Sequence, residues 1–446
     1  MFRSILESNQ LTISFSEQVL TDWQIASSLP IQFRSMATDK KAAIGFIFIT
    51  LLIDVMGWGL IIPVMPQLIA QLKGISVNEA SPYGAWLLSA YAITQFLFAP
   101  VIGNLSDKYG RRPVLLASLL GFGVDYLFLA LAPAYGWLFL GRVIAGITGA
   151  SFTTASAYIA DISTTETRAK NFGMIGAAFG LGFIIGPALG GLLSGLGIRA
   201  PFYAAAGLCL LNTLYGYFVL PESLSKENRR NFHWTRANPI GSLQLLKRYP
   251  AIGGLAVSFF LIYIAAQSVQ ANWSFFTIYR FNWSEKMVGI SLAVVGVLVG
   301  AVQGGLTRVI NPKLGNEKSI YLGLMLYVVG LVLFAFATTG WMMFAFLVPY
   351  CLGGIAGPAL QATLAEHVPP NEQGELQGAL TSLMSLTTII GPPIMNNLFY
   401  FFTKENAPMH FPGIPFLAGA VFMLFSVIIT WNVLSKEKKT VVQGVS

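Results

Sequence analysis

Charge is what this sequence has least of. Asp, Glu, Lys and Arg together make up 10 % of its 446 residues, against 55 % hydrophobic residues. A chain so far from the globular average cannot fold as one soluble domain, and most of its apolar surface must face lipid. The apolar runs are long and do not alternate, which excludes barrel strands and leaves membrane-spanning helices. Only two cysteines are present, Cys209 and Cys351, each inside an apolar segment of a different half. They suggest no disulfide framework and no metal centre, and small-residue packing is their expected role. No G-x-x-x-x-G-K-[ST] run exists, so ATP hydrolysis is not expected and energy should come from an ion gradient. No motif points to an enzyme, and no cofactor is implied. Residues 1–40 lack the charged-then-apolar pattern of a signal peptide. The run Met36-Ala-Thr-Asp-Lys-Lys suits a cytoplasmic start directly ahead of the first helix. Translation is therefore expected to begin at Met36, the alternative being a real, mobile extension.

What the chain does have is apolar segments in two sets of six. They fall near 43–71, 82–103, 113–133, 137–160, 170–194 and 201–220, then near 251–277, 287–307, 319–338, 341–365, 374–402 and 411–434. The expected fold is an all-α membrane protein of twelve transmembrane helices in two pseudo-symmetric halves. The first half would span 41–220 and the second 251–434. A polar linker, 221–250, joins them, and 435–446 forms a tail. Net charge is +8, yet the basic residues are not scattered. Of the 27 Lys and Arg, only Lys73, Arg199, Arg280, Lys286 and Lys404 fall on one side of the bilayer, with Arg142 inside a helix. The rest share the other side with both termini, which places the termini in the cytoplasm. The basic balance is topology, not nucleic-acid binding.

The halves repeat one another. Gly173-x12-Gly186-Pro187 recurs as Gly378-x12-Gly391-Pro392, an offset of 205 residues. The same offset carries Asp161 onto Glu366. The loop Gly305–Lys318 is a degraded copy of Gly103–Pro113 that keeps Gly315. Paired six-helix halves are the build of alternating-access transporters, with substrate held between them.

The polar run Gly103-Asn-Leu-Ser-Asp107-Lys-Tyr-Gly110-Arg111-Arg112-Pro113 lies between two apolar stretches and is short enough to make a hairpin. Gly103 and Gly110 would let backbones turn and approach closely. Asp107, Arg111 and Arg112 offer opposite charges that can link helix ends, or only set topology. This run is similar to the loop 2–3 signature of the major facilitator superfamily. With DYLFLALAP at Asp125–Pro133, GRVIAGITGA at Gly141–Ala150 and GAAFGLGFIIGPALGG at Gly176–Gly191, the chain resembles the drug:proton antiporter branch, which includes the tetracycline efflux proteins. PALQATL at Pro358–Leu364 and EQGELQGALTSL at Glu372–Leu383 extend the likeness into the second half. The resemblance implies export of a small amphipathic drug in exchange for protons from the inner membrane, by a monomer. The rival readings are metabolite uptake and a non-transporting receptor or scaffold on the same fold.

Ionisable groups at membrane depth are costly and mark pathways. Three are deep: Asp54, Asp125 and Arg142, all in the first half. Burial favours the neutral form of a carboxyl and a nearby cation the charged form, so a carboxyl held between them can load and release a proton. Arg142 cannot lose its own proton and can only tune. The alternative is a fixed ion pair that merely joins helices. The resemblance implies a gate ion pair among Asp107, Arg111 and Asp161. It also implies an antiporter signature in Gly176, Gly180, Gly186, Pro187, Gly190 and Gly191. Small residues at this spacing allow close helix approach. A substrate cavity is expected from Gln95, Gln267, Asn272, Gln303 and Gln361, with the aromatics Trp58, Tyr91, Trp273 and Phe276. One departure stands out. Where tetracycline pumps carry a His in helix 8 and an Asp in helix 9, this chain has Val299 and Tyr327. The second half keeps no deep acid or base, and tetracycline itself is not the substrate this departure favours.

Overall fold

The computed structural model describes residues 31–149, 151–232, 250–369 and 372–444. Among them, twelve helical spans are long and apolar enough to cross a membrane. We label these α1 (Ala43–Ile61), α2 (Val77–Tyr109), α3 (Arg111–Leu131), α4 (Tyr135–Ile162), α5 (Glu166–Leu196) and α6 (Ala200–Val219) in the first half. The second half holds α7 (Ile252–Phe281), α8 (Glu285–Leu314), α9 (Asn316–Ala335), α10 (Gly340–Glu366), α11 (Gln373–Phe401) and α12 (Ile414–Ser435). Helix is required here because no water is available at depth to satisfy backbone groups.

Several boundaries differ from the sequence reading. The helix of α1 begins at Ile31, inside the expected extension, and that of α12 continues to Gly444 through the expected tail. The first apolar segment is not one helix. It turns after Ile61 and resumes as Met65–Lys73. A matching break divides α7 after Gln270, and Trp273–Phe281 follows. The polar run after Gly103 is mostly helical, since α2 continues to Tyr109 and α3 begins at Arg111. Gly110 alone makes the turn, at a φ of 106° that disfavours side chains. Gly103 makes no close approach. Linker residues 233–249 and Met1–Pro30 lie outside the described residues, as does Ala150.

Each half packs in the same pattern. In the first, α1 lies against α5 and α6, α2 against α4, and α3 against α4 and α6. In the second, α7 lies against α11 and α12, α8 against α10, and α9 against α10 and α12. The halves meet along two seams, α2 with α11 and α5 with α8.

Those seams are closed at one end only. We call the end bearing the Arg111 and Gly315 turns the basic end. At the opposite end, Asn396 Nδ2 donates to the Ser81 carbonyl (3.0 Å) and Ser81 Oγ to the Asn396 carbonyl (3.3 Å). Asn78 Nδ2 donates to the Thr403 carbonyl at 3.1 Å, and deeper in the seam Ser89 Oγ to that of Ile389 at 2.7 Å. Gly191 of α5 lies so close to α8 that a β-carbon there would sit 2.7 Å from the Glu285 carbonyl oxygen. Gly289 of α8 similarly abuts the Pro187 carbonyl. Towards the basic end, β-carbons built at Gly173, Gly176 and Gly180 of α5, Gly304 and Gly305 of α8, or Gly374 of α11 would meet nothing within 4 Å. Among the described residues, the halves are therefore held together at the end opposite the basic end and lie apart at the basic end.

Candidate functional site

The deep charges form one cluster in the first half, but not as a trio. Arg142 Nη2 of α4 makes a short ion pair with Asp125 Oδ2 of α3, both buried. Gly141 permits it, because a β-carbon there would stand 2.8 Å from Asp125 Oδ1. The guanidinium lies between two aromatic rings, 5.9 Å from the centroid of Tyr91 and 5.8 Å from that of Tyr126. Cation–π attraction adds to the ion pair in a place that water does not reach. Gly146, one turn beyond Arg142, lets α4 come against Tyr91 and Thr94 of α2.

Asp54 is left out of this pairing. Both of its carboxylate oxygens are buried and make no hydrogen bond of normal geometry. The polar side chain beside it is Ser151, the first residue of the second part of α4. There α4 is interrupted after Thr148, and Gln95 Nε2 braces the break by donating to the Gly149 carbonyl (3.1 Å) and to Tyr91 Oη (2.9 Å). Tyr126 Oη closes the other side, 2.7 Å from where a β-carbon of Gly57 would be. A carboxyl in this setting lacks a fixed counter-charge, whereas Asp125 has one. Tyr126, Gly141 and Ser151 were not foreseen from sequence. Tyr126 and Gly141 directly adjoin Asp125 and Arg142, and that adjacency was the available signal.

At the basic end, Arg111 joins three helices. Its Nη1 contacts Asp107 Oδ1 of α2 at 2.6 Å, and its Nε contacts Asp161 Oδ2 of α4 at 3.1 Å. The expected trio is thus assembled, and wholly within one half. Arg112 lies outside it and donates to the Tyr217 carbonyl. Glu222, which sequence reasoning missed, accepts from the backbone amides of Arg111 (2.8 Å) and Arg112 (3.3 Å). A carboxylate at a helix N-terminus satisfies amides that have no partner within the helix. Ser223 Oγ donates to Asp161 at 3.0 Å, and the Arg230 amide to the Asp107 carbonyl at 3.1 Å. The signal was the Pro221-Glu222-Ser223 run just after α6, which fastens the start of the linker beneath the gate residues.

The α5 signature divides in two. Gly186 and Gly190 lie against the α1 backbone at Met56 and Leu60, and Gly191 against α8. Gly182, absent from the expected set, packs on Val55. β-Carbons built at Gly176 and Gly180 would meet nothing within 4 Å, so these two glycines make no close helix approach in this conformation. Pro187 is accommodated within a helix that runs unbroken from Thr165 to Leu193.

The expected cavity residues also divide. Gln95 serves the α4 break as above, and Trp58 faces Phe183 at 6.2 Å. Gln267 is buried beside Gly391 and reaches Thr388 at 3.5 Å. Asn272 sits at the α7 break, fully buried, with neither side-chain polar atom partnered. Trp273 and Phe276 are core residues instead. Trp273 donates to Ser291 Oγ at 2.9 Å, and the Phe276 ring stands edge-on to Phe416. Gln303 and Gln361 are exposed. Val299 is partly buried, and Tyr327 lies against Gly353 of α10.

Residues 47–392 and 313–444 match the sequence profile of the Major Facilitator Superfamily. The chain belongs to that superfamily. It is 44 % identical over 375 residues to the class C tetracycline resistance protein of Escherichia coli, covering 84 % of this chain and 93 % of that one. It is 34 % identical to the class H tetracycline resistance protein of Pasteurella multocida, covering 90 % and 98 %. Multidrug resistance protein 2 of Bacillus subtilis (strain 168) is 30 % identical over 88 % of this chain and 96 % of its own. Among solved structures, the human organic anion transporter MFSD10 superposes with a TM-score of 0.66 at 22 % identity, over 88 % of this chain and 99 % of its own. The nucleoside transporter NupG superposes with 0.70 at 13 %, over 89 % and 98 %. These two likenesses concern the fold alone. The expected superfamily, the twelve-helix architecture and the likeness to tetracycline resistance proteins all hold, Val299 and Tyr327 notwithstanding.

Proposed function

We propose that this transporter exports small amphipathic drugs in exchange for protons by alternating access. The protein is a monomer of the inner membrane with both termini in the cytoplasm. The basic end is then the cytoplasmic end, and the conformation described is the one that loads drug from inside. The observation that carries the reading is the unequal treatment of two buried carboxylates. Asp125 is neutralised by Arg142, while Asp54 has no counter-charge among the described residues and only the Ser151 hydroxyl beside it. A fixed pair holds α3 to α4; an unpaired carboxyl near the α4 break is free to exchange a proton as access alternates. Support for drugs as cargo comes from relatives named for tetracycline and multidrug resistance. In this reading Asp107, Arg111 and Asp161 lock the first half at the gate, and the amides Gln95, Gln267, Asn272, Gln303 and Gln361 with Trp58 and Tyr91 line the substrate's path.

Everted vesicles carrying the full chain test it. An imposed proton gradient should drive tetracycline or ethidium into them. Asp54→Asn keeps the shape but not the exchangeable charge, so it should abolish driven accumulation while downhill exchange persists. Accumulation at the parent rate by both Asp54→Asn and Asp125→Asn removes proton handling from these residues. Movement in the opposite direction, with solute leaving everted vesicles, supports uptake in place of export.

A further inference from the structure

The second half holds no deep charge among the described residues, yet it holds a polar cluster of which only Gln303 has been given a role above. Tyr327 projects from α9 across the interruption of α10, where the helix tightens into the single turn Gly353–Ile355. A β-carbon at Gly353 would stand 2.6 Å from Tyr327 Cγ, so only glycine lets the ring lie there. The ring meets Tyr350 edge-on, with centroids 5.1 Å apart at 71°. Tyr263 of α7 stands in the neighbourhood of the Tyr327 hydroxyl. On the other side stands α8, which widens into a five-residue π-turn, Val302–Leu306. Thr307 Oγ1 donates to the Val302 carbonyl across that turn at 2.8 Å. A β-carbon at Gly354 would lie 3.8 Å from Tyr327 Oη, 3.6 Å from Val302 Cγ1 and 4.0 Å from Gln303 Cγ. The tyrosine hydroxyl and the exposed Gln303 therefore border the same spot, between two helical irregularities.

Four helices contribute to this spot, and none of its polar termini is spoken for. Among the described residues, no hydrogen bond is made by the side chains of Tyr263, Tyr327, Tyr350 or Gln303. Polar groups left unpaired at membrane depth are ordinarily matched by water or a ligand. Single-turn π-bulges concentrate at functional positions because the widened turn exposes backbone and re-aims side chains. The spot also opens from the basic end, where Gly304 and Gly305 face empty space.

Building on the export reading, we infer that Tyr327 and Gln303, framed by Tyr263 and Tyr350, form the half-site that takes the uncharged part of the substrate. It suits a ring carrying carbonyl, enol or phenol oxygens. A neutral hydroxyl donates to such oxygens, and a Gln amide both donates and accepts. With no acid present, this half-site gives a permanent cation no advantage; among the described residues, the deep carboxylate without a counter-charge is Asp54, in the other half.

Two probes separate the idea from general packing. Tetracycline is rich in carbonyl and enol oxygens, whereas ethidium is a cationic ring system without them. Binding of each to the full chain in detergent is measured by tryptophan fluorescence, alongside thermal unfolding. Tyr327→Phe keeps the ring and removes the hydroxyl. It should weaken tetracycline by about 5–10-fold, the worth of one neutral hydrogen bond, and leave ethidium within about twofold. Gln303→Leu should act in the same direction. Parent-like tetracycline binding by both variants overturns the half-site, as does equal weakening of both probes. If the parent itself neither binds nor pumps either probe, the export reading falls first and takes this inference with it.

Discussion

The two halves of this molecule share a fold and differ in what they bury. At the 205-residue offset, Asp125 corresponds to Gly330 and Arg142 to Leu347. The first half spends its α3–α4 contact on an ion pair between two tyrosines, while the second fills the same place with close packing of Gly330 on Tyr350. At the basic end, Arg111 bridges Asp107 and Asp161, while its counterpart Asn316 makes a single 3.1 Å hydrogen bond to Glu366. Both turns use a left-handed glycine, Gly110 at φ 106° and Gly315 at 80°. Each half also breaks its fourth helix at an equivalent point and satisfies a freed carbonyl with a side-chain amide, Gln95 to Gly149 and Asn311 to Ile355. The backbone plan is therefore symmetric and the chemistry is not. A repeat can keep its packing after losing its charges, because neutral packing is at least as stable as a buried ion pair.

That contrast can be broken where it is deepest. Arg142→Leu places the second half's residue in the first and strands Asp125, which should cost about 3–5 kcal/mol. Adding Asp125→Gly to complete the second half's pattern should recover much of that loss in thermal unfolding, though not transport. A double variant no more stable than Arg142→Leu alone refutes the idea that the stranded charge is what destabilises.

A smaller effect distinguishes the closed end from the open one. Gly190→Ala pushes a methyl into the Leu60 carbonyl. Overpacking against backbone costs about 1–3 kcal/mol. Gly176→Ala meets open space in this conformation, so its unfolding temperature should be unchanged or slightly raised, as alanine is the better helix former by roughly 0.5–1 kcal/mol. Its transport rate is the sharper measurement. Should α5 close on a neighbour when access reverses, Gly176→Ala will slow turnover without weakening binding in detergent.

The smallest effect concerns the gate. Asp107→Asn removes one of two carboxylates from a partly exposed Arg111, so stability should change by about 1 kcal/mol or less. Transport should nonetheless fall, with drug binding in detergent retained. Parent-like pumping would reduce the cluster to a helix-end fastening. Glu317→Gln, at the start of α9, is the control in the second half and should leave transport unchanged.

Much of this could be read from the chain alone, for a physical reason. A bilayer forces each apolar stretch of about 20 residues into a helix, so twelve spans, their pairing into repeats and the sidedness of their charges follow from local composition. The deep Asp54, Asp125 and Arg142 were conspicuous because charge is so costly there. Which carboxylate Arg142 would choose was not legible, since Asp54 and Asp125 look alike in sequence and only the α3–α4 contact at Gly141 decides. Nor could sequence tell core from cavity for Trp273 or Phe276, because an aromatic side chain suits either and neighbouring helices settle it. The same holds for the α5 glycines, whose spacing permits close approach along the whole helix. Whether Gly176 and Gly180 are in contact depends on how far the halves have parted, and that is a property of two bundles meeting, not of any one of their helices.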